Sequence, residues 1–258
     1  MRTRQWFTRG ALFGAMVGTV GGAALLIAEA LAARTREYAK PDLRLAVRAS
    51  LGPPGRPTLR LVLLGDATAL GVGADHPADT VGGQLARLLT GGPGARRIEL
   101  SSVAVARSRS VDLATQVARA LVGKRPDVAV ILVGVDDVTH LVRPTVAATH
   151  LADAVRRLRA AGASVVVGTC PDVGALRAFA PPLRHLLGLY GRQLAHSQAA
   201  AVRAAGGTPV DLAAETGPVF RADSGALCHD GFHPSADGYR LWARALLPAV
   251  EEAAALPR

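Results

Sequence analysis

The chain has 258 residues, half of them hydrophobic, with 30 basic and 20 acidic residues and a formal charge of +10. This length suits one α/β domain with an extension, and the apolar content excludes a disordered chain. Nucleic acid is excluded as a partner: residues 1–40 hold six of the basic and two of the acidic residues, the remainder carries only +6, and aromatic residues for base stacking make up 4%.

Arg2, Arg4 and Arg9 precede an apolar run from Gly10 to Ala33 that is interrupted by one ionisable residue, Glu29. At about 1.5 Å per residue such a run reaches across a hydrocarbon core of about 30 Å. Residues 1–40 therefore read as a signal or membrane-anchor segment, with the membrane as partner. Ala30-Leu31-Ala32 offers an A-x-A cleavage site, so a cleaved signal and a retained anchor both stay open. The domain is expected on the extracytoplasmic side, although Arg34, Arg36, Lys40, Arg44 and Arg48 weaken the charge asymmetry that sets orientation.

Residues 41–59, with Gly52-Pro53-Pro54-Gly55-Arg56-Pro57, read as a linker, because proline and glycine break regular patterns. The domain then occupies 60–258. Short apolar runs at Leu61–Leu64, Ile98–Val105, Val128–Val133, Val165–Val167 and Pro209–Leu212 predict five strands. Helical patterns near 80–90, 109–123, 145–161, 182–205 and 235–254 follow them in turn. This alternation predicts a parallel sheet covered on both faces, with ligands bound beyond the carboxyl ends of its strands.

The loops after those strands hold the residues of chemical interest. The first strand ends in Gly65-Asp66-Ala67-Thr68-Ala69-Leu70-Gly71-Val72-Gly73, where no G-x-G-x-x-G dinucleotide pattern can be drawn. Taken alone it is a glycine-rich strand-to-helix turn. The second loop carries Arg107 within Ser102–Leu113, and the third carries Gly134-Val135-Asp136-Asp137, which by itself is a turn or N-cap pair. Near the C-terminus stands Asp230-Gly231-Phe232-His233-Pro234, followed by the Ser235-Ala236-Asp237-Gly238-Tyr239 start of a final helix.

In this order the four blocks resemble those of the SGNH/GDSL hydrolase family, over residues 60–250. The resemblance implies an α/β, three-layer flavodoxin-like fold with a five-stranded parallel sheet, to which the N-terminal hydrophobic helix is added. It implies no cofactor, and ester chemistry as the family's activity. It also implies His233 as general base, Asp230 as the carboxylate that orients it, and oxyanion-hole positions at Ala67, Arg107 and Asp136.

Three of those positions depart from the family pattern. Ala67 stands where the nucleophilic serine belongs, and a methyl group has no oxygen to attack an acyl carbon. Arg107 replaces a glycine, and Asp136 replaces an asparagine whose side chain donates a hydrogen bond; an ionised carboxylate only accepts. The expectation is an inactive or impaired protein of the cell envelope that binds an acylated small molecule or a glycan. The rival is an active ester hydrolase or acyltransferase that uses Thr68 or a water activated by His233. An engineered Ser→Ala trap is opposed by Arg107 and Asp136, which such a trap would not need.

Further expectations concern side chains that meet. Arg107 and Asp136 should form an ion pair that fills the oxyanion position. Cys170 and Cys228 should lie close together, where a bridge is plausible outside the cytosol. A metal site built from Asp66, Asp136, Asp137 and His233 is disfavoured because Arg107 would oppose a cation. No metal is expected.

Overall fold

The structure is a computed structural model that describes residues 22–42, 48–91 and 94–255. Among the described residues six strands form one sheet in the order β1-β3-β2-β4-β5-β6. These are β1 (Arg48–Leu51), β2 (Thr58–Gly65), β3 (Arg97–Ser102), β4 (Val128–Leu132), β5 (Ser164–Gly168) and β6 (Thr208–Val210). The last five run parallel, as the alternation predicts, while β1 pairs antiparallel with β3 at the edge. The linker read at 41–59 therefore contributes a strand. Its residues Arg48–Leu51 alternate between exposed and half-buried, a pattern too short to register beside the prolines that follow.

The central strands are apolar on both sides because both faces are covered. Leu61 and Leu63 of β2 enter one core and Val62 and Leu64 the other; Val130 and Ile131 of β4 divide in the same way. Helices α3 (Val81–Gly91) and α9 (Ala236–Ala255) pack together on the first face. On the second lie α4 (Leu113–Ala120) and α6 (Pro144–Ala160), with α7 (Leu183–Ala204) against α6. Pro144 starts α6 at a position where its missing N–H costs nothing, and Ala147, Leu151, Val155 and Leu158 then recur at helical spacing on the buried side.

Helix α8 (Leu212–Ala222) is absent from the sequence reading, since Gly217 and Pro218 in its middle suggest a break. It forms because Asp211 caps it, accepting from the Ala214 N–H at 3.0 Å, and because Leu212, Thr216 and Phe220 bury one side. The expected apolar N-terminal helix lies partly outside the described residues: residues 1–21 are not described, and residues 22–35 form a helix, α1. Among the described residues no helix is long and apolar enough to cross a membrane.

Candidate active site

Because β2 has β3 on one side and β4 on the other, the chain leaves its carboxyl end in opposite directions, and the loops diverge to leave a crevice there. All four blocks meet at this edge. Gly65 adopts φ +133°, and a side chain there would collide with the Leu132 carbonyl at the end of β4. The Asp66 N–H instead donates to that carbonyl at 3.0 Å. Asp66 then caps the one-turn helix α2 (Ala67–Leu70), with Oδ1 accepting from the Thr68 N–H at 2.9 Å and from its hydroxyl at 2.6 Å. Burial pushes the Asp66 carboxyl up to about 7 against those two bonds. Ala67 occupies the first position of α2 and is buried.

The second loop runs alongside the first, with the Val103 N–H on Leu63 O at 2.9 Å and the Val105 N–H on Gly65 O at 3.1 Å. Arg107 has φ +65°, the left-handed conformation that glycine adopts without penalty. Among the described residues the main-chain N–H groups of Ala67 and Arg107 have no partner, so both donors are open. In the third loop Gly134 (φ +147°) leads into α5 (Val135–Thr139), whose first turn holds Asp136 and Asp137.

The expected ion pair is not formed: no contact within 4 Å joins Arg107, which is exposed, to Asp136. Arg107 is exposed and acts on the carboxylate only at a distance. Burial raises the Asp136 carboxyl, while His140, Arg107 and His233 partly offset it. Asp137, rather than Asp136, ties the loops together. It is buried, and its carboxylate accepts from the Ser110 hydroxyl at 2.7 Å and from the Ser110 N–H at 3.1 Å.

The fourth block is the most tightly organised. Asp230 Oδ1 accepts from the Phe232 N–H (2.7 Å), the His233 N–H (2.9 Å) and the Cys228 thiol (3.1 Å). Its Oδ2 lies 2.7 Å from His233 Nδ1, and both side chains are almost wholly buried. Burial pushes the Asp230 carboxyl up, but the His233 imidazole and the N–H groups of Ala39, His233 and Phe232 prevail and hold it well below the usual range. With Nδ1 engaged, Nε2 has no hydrogen-bond partner among the described residues. The block packs directly on the first one: a side chain on Gly73 would meet the Pro234 carbonyl, His233 Cβ and Cys228 Sγ. The Tyr239 hydroxyl adds a bond of 2.6 Å to Val72 O.

His233 also acts electrostatically on both Asp66 and Asp136, so the imidazole lies within range of the first and third loops. No metal-ligating group of three or more is present among the described residues. Cys170 and Cys228 are free thiols. Cys170 is buried beside Gly134 and Gly191, while Cys228 faces Gly73 and Asp230, so the two side chains serve different contacts.

Two glutamines that sequence reasoning passed over hold this edge in shape. Gln116 Oε1 accepts from the Gly65 N–H at 2.7 Å, and its Nε2 donates to Gly65 O and to the Ser108 hydroxyl. Gln198 does the same between the ends of β4 and β5, accepting from the Cys170 N–H at 2.7 Å and donating to Val133 O at 3.0 Å. Their only sequence signal is a polar residue on the apolar stripe of a helix. Beside the first loop, a small pocket lies among Thr68, Val135, Leu176, Phe220, Phe232 and Trp242.

A family model described as the GDSL-like Lipase/Acylhydrolase family matches residues 63–241. The chain is 40% identical over 258 residues to the "GDSL-like esterase Rv1075c" of Mycobacterium tuberculosis, covering 95% of this chain and 82% of that protein. Among solved structures it resembles LAE5, an α/β hydrolase enzyme from the metagenome of Lake Arreo, Spain, with a TM-score of 0.61 and 19% identity over 76% of this chain and 95% of the other. It likewise resembles Axe2, an acetylxylan esterase from Geobacillus stearothermophilus, with a TM-score of 0.57 and 19% identity over 76% of this chain and 94% of the other.

Proposed function

We propose a function from one premise: the chain belongs to the GDSL-like lipase/acylhydrolase family. It recognises an acylated molecule, a small ester or an acylated glycan, in the crevice at the carboxyl edge of the sheet, and it does so at the cell envelope without forming an acyl-enzyme. The observation that carries this reading is the complete Asp230–His233 pair set beside a nucleophile position filled by a methyl group. Thr68 does not replace the missing hydroxyl, because its Oγ is committed to Asp66 at 2.6 Å. Loss of the nucleophile costs on the order of a millionfold in turnover in a serine hydrolase. The open N–H groups of Ala67 and Arg107 and the apolar pocket beside Thr68 support retained recognition of an acyl group.

A second reading has its own observation. Nε2 of His233 is free while Asp230 is held anionic, the state of a working general base. In that reading Nε2 takes a proton from water as the oxygen adds to the acyl carbon, and the tetrahedral intermediate then breaks its bond to the alcohol oxygen, which takes the proton back from Nε2, so that a carboxylic acid and an alcohol leave. One experiment separates the two: short-chain and long-chain acyl esters are offered to the unmodified protein, to Ala67→Ser and to His233→Ala. Binding without turnover in the unmodified protein supports the first reading. Slow turnover that disappears in His233→Ala supports the second, and absence of both binding and turnover overturns both.

A further inference from the structure

Asp230 is held from two directions that are far apart in the sequence. The donors to Oδ1 all come from its own loop. Oδ2, the oxygen that holds the imidazole, receives one additional donor, the main-chain N–H of Ala39 at 2.9 Å. The segment that delivers this N–H is fastened at several points. The Tyr38 ring stands edge-on to Phe232 with centroids 5.2 Å apart, and the Tyr38 hydroxyl donates to Ala33 O at 2.8 Å. Ala33 is buried, and Glu29 accepts from the Leu183 N–H, at the start of α7, at 2.9 Å.

We propose that residues 33–39 belong to the active site, and that the main-chain N–H of Ala39 is a positioning group that fixes Oδ2 of Asp230 and, through it, the ring of His233. The terminal torsion of an aspartate is broad, so a carboxylate held only by its own loop can pivot. A charge-assisted bond from a second segment removes that freedom on the side where the imidazole docks. Neutral imidazole in water favours the Nε2–H form, which is useless as a base at Nε2. A fixed Oδ2 selects the Nδ1–H form and leaves Nε2 free to accept a proton. The inference rests on reading His233 as the base and Asp230 as its orienting carboxylate.

The test is ring-nitrogen NMR on the full chain in detergent micelles, comparing the unmodified protein with Ala39→Pro, which deletes the N–H, and Ala39→Gly, which keeps it. The Nδ1–H form should dominate the neutral ring in the unmodified protein and in Ala39→Gly, and fall to a minority in Ala39→Pro. Where Ala39→Pro does not fold, Tyr38→Ala, which loosens the segment while keeping every N–H, should give a mixture of the two forms. Unchanged tautomer populations in the folded variants would overturn the proposal. The same substitutions in an Ala67→Ser background give a kinetic readout, with Ala39→Pro lowering kcat at least tenfold and leaving KM within twofold. A silent Ala67→Ser protein counts against ester chemistry at this site and leaves the tautomer measurement to decide the role of Ala39.

Discussion

At the residue scale the proposed site carries three departures from the family pattern, Ala67, Arg107 and Asp136, whose effects do not add. On the proposed reading, a missing nucleophile leaves the oxyanion hole with nothing to stabilise, so Ala67 masks what Asp136 does. Restoring a serine exposes it: Ala67→Ser alone should hydrolyse short acyl esters weakly, because the Asp136 carboxylate repels the developing oxyanion. Adding Asp136→Asn supplies a donor of the kind that contributes about a hundredfold to a thousandfold. Initial rates on a chromogenic short-chain ester check this, and equal rates for the single and double variants would mean that Asp136 does not face the reacting oxygen.

Asp66 makes a prediction of another kind. Burial raises its carboxyl to about 7, so the folded protein holds this proton more tightly than the unfolded chain does. The contribution to stability is therefore complete below the unfolded value, near pH 4, and is lost as the pH rises through about 7. Moving the carboxyl from near 4 to about 7 corresponds to about 4 kcal/mol. Asp66→Asn, which keeps an oxygen for Thr68, should melt several degrees above the parent at pH 8 and close to it at pH 4. Thermal scans at the two pH values measure this, and a pH-independent difference would refute it.

At the element scale, the sequence was legible where periodicity is undisturbed. The five parallel strands and the helices α3, α4, α6, α7 and α9 follow the apolar runs closely. It was illegible at α8, where Gly217 and Pro218 outweigh the pattern locally and an Asp211 cap with a buried Phe220 compensates in three dimensions. At the candidate site, the Asp-x-x-His-Pro block was legible as a unit, and the structure joins the Asp230 and His233 side chains at 2.7 Å. Arg107 and Asp136 could be placed but not oriented, since the left-handed φ of Arg107 is a backbone property invisible in composition. The supporting glutamines were hidden because a polar residue in a helix normally faces water. Gln116→Ala tests that role: it leaves the buried Gly65 N–H unpaired, which costs about 2 kcal/mol. The midpoint of urea unfolding should fall accordingly, and a loss under about 0.5 kcal/mol, within the range of ordinary surface substitutions, would assign Gln116 no structural part.

At the scale of the whole molecule, the domain and the N-terminal segment meet at the site. Leu25, Ile27 and Leu31 of α1 are exposed, and they continue the apolar run that precedes them. The proposed envelope location follows from that continuity. The full chain should sediment with phospholipid vesicles and resist alkaline carbonate, whereas residues 41–258 should stay in the supernatant. Release of the full chain by carbonate would reduce the segment to a peripheral contact.

The fastenings of that segment lie on opposite sides of the Ala30-Leu31-Ala32 sequence. Peptidase processing after Ala32 would carry away Glu29 and free the Leu183 N–H at the head of α7, yet it would spare Tyr38 and Ala39. Maturation would thus release the start of α7 from Glu29 while leaving the Asp230 carboxylate clamped by Ala39, so an unprocessed precursor and its mature product would hold Asp230 in one geometry.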